Sequence, residues 1–586
     1  MYSFKIDFAD PRDDAAARLR FGARNPRATL VARTLAEVRP VLDAVEDAAR
    51  AGAWVVGQLR YEAAPAFDAA LRTHAADGPL AWFAVFDAPE PWDDALAPGD
   101  ATVQWDEALA RPAFDAAIAR IRSAIAAGEC YQVNYTAPLS GRLQGDALAL
   151  FDALRRAQPG GYAAYLDMGD EATLSVSPEL FFDWRAGADG AGDILTRPMK
   201  GTAARGATLD EDAASAAQLR ASPKERAENV MIVDLLRNDL SRIAQPHSVR
   251  VPRLFHTQAL PTVWQMTSDV VARTRAGTRL ADVFGALFPC GSVTGAPKHS
   301  AMQQIHALES APRGVYCGAV GVVRPGGAGG VAATFNVPIR TVALRGAQVT
   351  CGIGSGITAG SQAADEWREW AAKRVFVERA SEPFDLLETL ALDGGVLRHR
   401  AEHLARMTAA AAHFGRPWDA ARVQSCLHAL CAAHGAGLWR VRLLLDAQGA
   451  PRAEAFALQP TSTPVVLALA TRPFADAHGE FTRHKTTRRA HYAAFAPPPG
   501  VFDTLLYNTA GEITESTFGN VAALLDGHWI TPPLACGLLP GVGRAALLRE
   551  GRVQEGVLRL QDVARVERWA FVNSLRGWLD ATLAMP

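Results

Sequence analysis

The residues of this 586-residue chain most suggestive of covalent chemistry are its six lysines, because arginine supplies the rest of the 60 basic residues. Arginine keeps its proton in proteins, whereas a lysine can be tuned into a free amine. Lys200 lies beside a glycine turn in PMKGT (198–202), where closely approaching backbone makes it a candidate nucleophile. Lys485 lies in HKTTRR (484–489), and the alternative for it is an exposed lysine in a basic run.

Four glutamates form two pairs at i, i+3 spacing, Glu225 with Glu228 and Glu366 with Glu369. Residues at this spacing share one helix face. Ser222 suits a helix start, where Glu225 completes a capping box, so Glu228 is left without a local structural role. Two helices that present carboxylates suit Mg²⁺, which takes one or two carboxylates and completes its shell with water and substrate oxygens. The alternatives are a salt bridge from Glu228 to an arginine and a solvated face for the second pair.

Two glycine-rich stretches predict anion sites. GIGSG (352–356) indicates a strand, then glycines, then a helix, whose first N–H groups suit a carboxylate; a tight turn is the alternative. GLLPGVGR (537–544) precedes a helix and suits a phosphate. Together with Lys485 and the glutamates of EITESTFGN (512–520), it favours a pyridoxal phosphate (PLP) site with separate lysine, acid and phosphate-binding parts.

Hydrophobic periodicity predicts a mixed α+β first half that positions these residues. The helical patterns lie at 111–127, 214–243, 298–308 and 362–377, and the strand-like runs at 54–59, 81–86, 163–166, 315–323, 339–344 and 348–352. A polar break with a proline at 381–383 precedes a new strand (384–392), a turn (393–395) and a helix from about residue 400. We therefore predict two domains, 1–380 and 381–586.

Composition narrows the class of protein. The formal net charge is −2, which argues against a nucleic-acid or anionic-membrane binder. Hydrophobic residues at 49% and charged residues at 21% are typical of a globular protein. We find no apolar run long enough to span a membrane and no secretory signal pattern, and the seven cysteines form no CxxC pair. The expectation is a cytoplasmic protein with reduced thiols.

An ordered series of motifs makes residues 110–375 resemble the chorismate-utilising enzyme family. The motifs are YQVNYT (131–136), SPE (177–179), PMKGT (198–202), AENVMIVDLLRNDLSRI (227–243), FPCGSVTGAPK (288–298), NVPIRT (336–341) and GSGI before the second glutamate pair. The resemblance implies antiparallel β-sheets stacked as a sandwich with outer helices. In place of PMKGT, anthranilate and isochorismate synthases have a segment that resembles PIAGT, with alanine at the position of Lys200. Lysine at this position is the mark of aminodeoxychorismate synthases.

The same resemblance implies a role for each matching residue. Lys200 would attack chorismate C2, with Glu179 as the general acid/base, and Glu228 and Glu369 would hold Mg²⁺ with Glu225 and Glu366 nearby. The implied chorismate-binding groups are the residues Thr202, Tyr316 and Arg340 and the backbone of Gly354, Ser355 and Gly356. Gln265 stands where many relatives have histidine, which leaves hydrogen bonding as its expected role. No glutaminase-like cysteine motif is found, so ammonia is expected from solution or from a separate glutamine amidotransferase subunit.

Residues 384–586 resemble the fold-type IV PLP enzymes, an α/β family of branched-chain and D-amino acid aminotransferases and aminodeoxychorismate lyase. The match implies that Lys485 is the Schiff-base lysine and proton shuttle and that Glu515 faces the pyridine nitrogen. The implied phosphate contacts are Arg406, Val542, Gly543 and Ser574. The chain departs from the family at its start, where FDLLET (384–389) replaces the usual glycine-bearing strand. The family also suggests a homodimer through this domain.

The two halves together predict a bifunctional enzyme. The first half would aminate chorismate to 4-amino-4-deoxychorismate, and the second would eliminate pyruvate to give p-aminobenzoate for folate. The enzymatic alternatives are an anthranilate-type synthase, which alanine at position 200 would have favoured, and a transaminase in the second half. The non-enzymatic alternative is a silent chorismate-binding subunit, against which the two lysines and four glutamates argue.

Overall fold

A computed structural model describes residues 3–13, 18–92, 101–106, 109–204, 209–259 and 263–584. The chain divides into two units, Met1–Pro383 and Phe384–Pro586. Separate clusters of buried apolar side chains form the interior of each unit.

The described residues of the first unit form two antiparallel sheets. Their strands are β1 Ser3–Phe8, β2 Leu19–Arg24, β3 Ala28–Ala32, β4 Trp54–Leu59, β5 Ala81–Phe86, β6 Ala101–Trp105, β7 Gln132–Gly145, β8 Tyr162–Asp167, β9 Glu171–Ser177, β10 Leu180–Ala186, β11 Gly192–Arg197, β12 Met199–Ala204, β13 Arg250–Ala259, β14 Val263–Arg273, β15 Gly295–Ala296, β16 Ala319–Pro325, β17 Val331–Asn336, β18 Thr341–Arg345 and β19 Gln348–Thr358. Sheet A has the order β15-β7-β19-β18-β9-β8-β1-β2, with β6 beside β7. Sheet B has the order β12-β14-β11-β10-β17-β16-β4-β5-β3, with β13 beside β14.

Sheets A and B pack face to face, and helices cover their outer faces. Phe4 and Ile6 of sheet A share one buried cluster with Val56 and Val320 of sheet B. The helices are α1 Leu35–Arg50, α2 Arg111–Ala126, α3 Ala147–Ala157, α4 Leu209–Ala221, α5 Pro223–Ser241, α6 Leu280–Leu287, α7 Lys298–Leu308 and α8 Ala363–Ala380. Helices α1, α5 and α6 pack on sheet B, and α2, α3, α7 and α8 pack on sheet A. Strand β5 (AWFAVF) is buried along its length because both faces are covered.

The second unit combines an antiparallel sheet with a mixed sheet. Its strands are β20 Leu386–Asp393, β21 Val396–Leu397, β22 Leu438–Leu445, β23 Pro451–Ala457, β24 Val465–Leu469, β25 Asp503–Tyr507, β26 Ile513–Ser516, β27 Asn520–Leu525, β28 His528–Thr531, β29 Gln554–Glu555, β30 Arg568–Asn573 and β31 Gly577–Ala584. Its helices are α9 Arg400–His413, α10 Ala420–Ala433, α11 Glu480–Arg483 and α12 Val542–Arg549. The sheet orders are β21-β20-β22-β23 and β26-β25-β24-β31-β30-β27-β28-β29, and β24 runs parallel to β25 and β31. The predicted α+β and α/β fold classes are confirmed.

Membrane insertion through a helix finds no support in the described residues, since none of their helices has the length and apolar character needed to span a bilayer. All seven cysteines carry free thiols. Localisation in the cytoplasm stays a prediction.

The structure corrects three local predictions. Residues 352–356 lie inside β19 and not in a loop before a helix, because this strand pairs with β7 along its whole length. The predicted helix 214–243 is two helices, and the hydroxyl of Ser222 caps the second of them. Strand β16 begins later than the predicted run 315–323, because Cys317 takes a left-handed φ of 62°.

Candidate active sites

A cavity of about 220 Å³ in the first unit brings together residues of both sheets and of helices α5 and α8. Its lining includes eleven of the twelve catalytic, substrate-binding and metal-binding residues predicted from the sequence for this half. It also includes Gln265, the residue expected to form hydrogen bonds in place of a histidine. They are Glu179, Lys200, Thr202, Glu225, Glu228, Gln265, Tyr316, Arg340, Gly354, Gly356, Glu366 and Glu369. Residues from distant parts of the chain therefore meet at one place.

Ser355 is the exception, because its side chain lies on the face of sheet A that packs against α8. Its buried hydroxyl donates to Glu366 Oε2 (2.5 Å) and accepts from Trp370 Nε1 (3.0 Å). Side chains alternate along a strand, so Gly354 and Gly356 face the other way, toward the cavity. The Ser355 side chain therefore holds Glu366 and does not reach the cavity, and the expected contact of the Ser355 backbone with chorismate stays a prediction.

The backbone around Lys200 on β12 is fixed from two sides. Asn229 of α5 donates to Lys200 O (3.4 Å), and Gln265 Nε2 of β14 donates to Gly201 O (2.9 Å). Gly201 has a φ of 96°, a conformation that favours glycine. Thr202 Oγ1 donates to Gln265 Oε1 (3.1 Å). The glutamine that replaces histidine thus bonds both residues that follow the lysine.

Lys200 and Glu179 have pKa values shifted toward each other. Burial lowers the pKa of Lys200, and the carboxylates of Glu179 and Glu228 partly oppose this shift. Burial raises the pKa of Glu179 to about 7, although a hydrogen bond from Ser292 and the charge of Lys200 both lower it. Glu179 Oε1 is buried without a hydrogen-bond partner. The site therefore combines an amine that loses its proton more readily than a free lysine with a carboxyl that can hold one near neutral pH.

The four glutamates of α5 and α8 create an acidic part of the cavity. Burial raises the pKa of Glu225 and that of Glu228, the latter to about 7, and neighbouring glutamates add to both shifts. Burial opposes ionisation of Glu369 as well, but an ion pair with Lys373 (2.7 Å) outweighs it and lowers the pKa. No three His, Cys, Asp or Glu side chains in the described ranges form a complete metal site. The set still fits Mg²⁺, which needs only one or two carboxylates beside water and substrate oxygens.

Arg340 provides the cavity with a cation suited to a carboxylate. Its guanidinium donates to Gln158 Oε1, and no Asp or Glu in the described part of the chain pairs with it. Burial lowers the pKa of Arg340 to about 10. At Gly356, a Cβ would lie 3.1 Å from Lys200 Nζ, so glycine leaves room beside the amine. An arginine without a counter-ion is a natural partner for an anionic ligand.

The second unit surrounds Lys485 with charged groups. Burial and the charges of Arg406 and Arg489 lower the pKa of Lys485 to about 8, while Glu388 and Glu515 oppose the shift. A lysine that loses its proton more easily is suited to covalent bonding with a carbonyl carbon.

Arg406 on α9 is held by a buried carboxylate. Its Nε and Nη2 donate to the two oxygens of Glu388 at 2.8 and 2.7 Å, and its Nη1 donates to Pro540 O at 2.9 Å. His403 Nδ1 lies 2.6 Å from Glu388 Oε2. Burial alone would raise the pKa of Glu388, but Arg406 and His403 lower it to about 2. The guanidinium is therefore fixed beside the loop that precedes α12.

Glu515 on β26 uses both carboxylate oxygens. Tyr492 Oη donates to Oε1 (2.7 Å), and the Leu539 N–H donates to Oε2 (3.0 Å). Burial nevertheless raises the pKa of Glu515 to about 7. A carboxyl that can share a proton near neutral pH suits the nitrogen of a pyridine ring.

The start of α12 completes this second site. Gly541 precedes the helix, and Val542 and Gly543 are its first residues, whose N–H groups have no partner within the helix. Such a helix start attracts phosphate. A Cβ at Gly543 would lie 2.8 Å from the backbone nitrogen of Ser574, so glycine lets that segment approach. Lysine, acid and phosphate-binding groups are thus all present, and the residues fit PLP.

Sequence reasoning missed four residues of these sites. Gln132 is fully buried and neither amide atom has a hydrogen-bond partner, although the residue lies in the quoted motif YQVNYT. The sequence could have indicated Lys373, because it is one of only six lysines and lies four residues after Glu369 on the same helix face. No sequence feature indicates Glu388 or Tyr492, because only folding brings them next to Arg406 and Glu515.

Comparison with known proteins gives a match for each unit. Residues 93–378 match the family model for chorismate binding enzyme, and residues 385–583 match amino-transferase class IV. The chain is 39% identical over 290 residues to aminodeoxychorismate synthase component 1 of Klebsiella aerogenes, covering 50% of this chain and 61% of that protein. It is 43% identical over 249 residues to aminodeoxychorismate synthase of Streptomyces griseus, covering 42% of this chain and 33% of that protein. The chain thus spans less than two thirds of either relative.

A solved structure supports the fold of the first unit. Anthranilate synthase component I from Streptococcus pneumoniae TIGR4 superposes with a TM-score of 0.52 at 23% identity. The alignment covers 64% of this chain and 92% of that one. At this level of identity the likeness concerns the fold alone.

Proposed function

We propose that this chain, which joins a chorismate-binding enzyme domain to a class IV aminotransferase domain, makes p-aminobenzoate in two steps. The first unit replaces the C4 hydroxyl of chorismate by an amino group, and the second removes pyruvate from the product. The observation that carries the proposal is the amine of Lys200, which lines a cavity together with Glu179, Arg340 and four glutamates. Alanine at this position, as in anthranilate synthases, could not form a covalent bond to the substrate.

The first step uses Lys200 as a nucleophile that is later released. The neutral amine attacks C2, the ring double bonds shift, and the C4–O bond breaks as the hydroxyl takes a proton and leaves as water. Glu179 donates that proton, which its raised pKa allows it to hold. Ammonia then bonds to C4, the double bonds shift back, and the C2–N bond to Lys200 breaks. The net change is the replacement of hydroxyl by amine.

Substrate binding relies on opposite charges. Arg340 binds one carboxylate of the chorismate dianion. Glu228 and Glu369 are the residues that would hold Mg²⁺, with Glu225 and Glu366 nearby, and the metal would supply positive charge for the other carboxylate. Thr202, Tyr316 and the strand glycines Gly354 and Gly356 shape the remaining wall.

The second step requires a proton to leave C4 of the aminated ring. Bound PLP supplies the electron sink that makes this proton acidic. Lys485, with a pKa lowered to about 8, accepts it as a free amine. Glu515 would face the pyridine nitrogen of PLP, and Arg406, Val542, Gly543 and Ser574 would hold its phosphate. Loss of enolpyruvate from C3 then makes the ring aromatic.

Ammonia is the remaining input. We propose a separate glutamine amidotransferase subunit as its source, because the similar Klebsiella aerogenes protein is named component 1 of its synthase, a name that implies a second component. A homodimer through the second unit, as the family resemblance suggests, is also part of the proposal.

Incubation of the purified chain with chorismate, Mg²⁺, PLP and an ammonium salt tests the proposal. We expect p-aminobenzoate and pyruvate in equal amounts, identified by chromatography and mass spectrometry. Anthranilate as the product would contradict the first step. Exchange of amino groups between amino acids and 2-oxoacids, without pyruvate release, would contradict the second.

A further inference from the structure

Arg489 is a charged side chain of the second unit that has no role in the two steps above. It lies four residues after Lys485, in the same HKTTRR segment. Burial and the charges of Arg406 and Arg489 lower the pKa of Lys485. Burial raises the pKa of Glu515, and the charge of Arg489 is among the influences that lower it. The guanidinium of Arg489 therefore lies within electrostatic range of both the lysine and the acid of the PLP site.

Two contacts fix this guanidinium in place. Its central carbon lies 4.6 Å from the centroid of the Tyr492 ring, and its Nη2 donates to Thr517 O. The Tyr492 hydroxyl in turn donates to Glu515 Oε1 (2.7 Å). Thr517 is itself held by Asp503, a fully buried residue whose Oδ1 accepts the Thr517 hydroxyl (2.5 Å) and N–H (3.2 Å). The guanidinium thus rests on a support that is fixed on both sides.

The positive charge of Arg489 is not matched by the protein. Among the residues that the structure describes, no Asp or Glu forms an ion pair with Arg489, and Thr517 O is the one acceptor of its side chain. Its other N–H groups are not buried against protein, so they face open space. Arg406 differs, because two hydrogen bonds to Glu388 neutralise it. An arginine with free donors suits a carboxylate, which can accept two parallel hydrogen bonds from it.

The substrate proposed for the second unit has two carboxylates, at different places relative to its amine. Lys485 accepts the proton of C4, the carbon that bears the amine, so C4 must come close to Lys485. The enolpyruvyl carboxylate is attached through an ether oxygen to the adjacent carbon, C3. The ring carboxylate is attached to C1, at the opposite side of the ring. A cation close to Lys485 is therefore better placed for the enolpyruvyl carboxylate.

We propose that Arg489 binds the enolpyruvyl carboxylate of 4-amino-4-deoxychorismate, the part of the substrate that leaves as pyruvate. The proposal rests on the function proposed above for the second unit. Because Tyr492 and Thr517 already hold the guanidinium, little side-chain freedom is lost when the carboxylate binds. Arg489 thereby selects this substrate over amines that lack the second carboxylate.

The adjacent arginine provides a matched control. Arg488 lies over the ring of Phe481 (4.6 Å), whereas Arg489 lies over that of Tyr492. The full chain is compared with Arg489→Gln and with Arg488→Gln. The first measurement is kcat/KM for pyruvate release from supplied 4-amino-4-deoxychorismate. The second is the Kd of PLP, from absorbance titration of the PLP-free chain. The third is the inhibition constant of p-aminobenzoate, which keeps the ring carboxylate but lacks the enolpyruvyl group.

We expect Arg489→Gln to lower kcat/KM about tenfold to a hundredfold, because hydrogen bonds between opposite charges are lost. The Kd of PLP and the inhibition constant of p-aminobenzoate stay as in the parent, and Arg488→Gln behaves as the parent in all three measurements. Equal kcat/KM in the two variants overturns the proposal. An equally large loss of PLP affinity in Arg489→Gln also overturns it, since Arg489 would then act on the cofactor. Equal weakening of inhibition by p-aminobenzoate overturns it in favour of the ring carboxylate. Absence of pyruvate release by the parent instead refutes the proposed function.

Discussion

Replacement of Glu388 by glutamine tests whether one buried carboxylate organises the second site. Glu388 is 1% exposed and bonds both Arg406 and His403. Glutamine has nearly the same shape, so the change removes the charge with little effect on packing. The guanidinium of Arg406 then loses its counter-charge and keeps as acceptors Pro540 O and the single amide oxygen of the glutamine.

The magnitude follows from the pKa. A carboxyl whose pKa falls from 4.5 to about 2 on folding stabilises the folded unit by about 3 kcal/mol at neutral pH, since one pKa unit is about 1.4 kcal/mol. Breaking a buried ion pair from one side costs about 3–5 kcal/mol, which agrees. Because the folded pKa is the lower one, this stabilisation is complete above pH 4.5 and is lost as the pH falls toward 2.

Urea unfolding of the full chain, with hydrogen exchange of peptides from β20 and α9, measures the loss. Glu454→Gln is the matched control, because its pair with Arg442 is long (3.5 Å) and partly exposed, and such pairs contribute about 1 kcal/mol or less. We expect Glu388→Gln to lose about 3 kcal/mol at pH 7 and to show a smaller decline in stability than the parent between pH 4.5 and 2. Equal stability of Glu388→Gln and Glu454→Gln would refute the reasoning.

Three further changes test individual groups. Glu179→Gln should lower the amination rate by about 10²–10⁴ and abolish its decline above pH 7, and a pH–rate profile that keeps this decline contradicts the acid role. Gln265→Leu removes the bonds to Thr202 and Gly201 and should reduce kcat by about tenfold or more in steady-state kinetics; an unchanged kcat would show that these bonds do not position Lys200. Tyr492→Phe should raise the pKa of Glu515 further and shift the pH titration of the PLP absorbance upward, whereas an unshifted titration argues against contact with the pyridine nitrogen.

Local patterns predicted those elements whose limits are set by nearby residues. The helix at 298–308 and the strands at 54–59 and 81–86 have the predicted bounds. The prediction of a loop at 352–356 was wrong because β19 continues through these residues. The strand is extended by pairing with β7, which lies more than 200 residues earlier in the chain. A local window contains no information about such a partner.

The candidate sites likewise have features that could be predicted from the sequence and features that depend on the packing of distant elements. Motifs spread over residues 131–369 were enough to predict most residues that line the first cavity, since the family resemblance carries their spatial relation. The orientation of Ser355 could not be predicted, because it depends on which face of β19 packs against Trp370. The role of Glu388 could not be predicted either, because its carboxylate reaches Arg406 only when β20 and α9 are packed together.

Product analysis of Lys200→Ala and Lys485→Ala tests the central claim most directly. Each variant receives chorismate, ammonium, Mg²⁺ and PLP, and in a second reaction 4-amino-4-deoxychorismate. We expect Lys200→Ala to form no aminated product from chorismate but to release pyruvate from the supplied intermediate, and Lys485→Ala to accumulate that intermediate. Amination at the parent rate by Lys200→Ala, or pyruvate release at the parent rate by Lys485→Ala, would contradict the account of the respective unit.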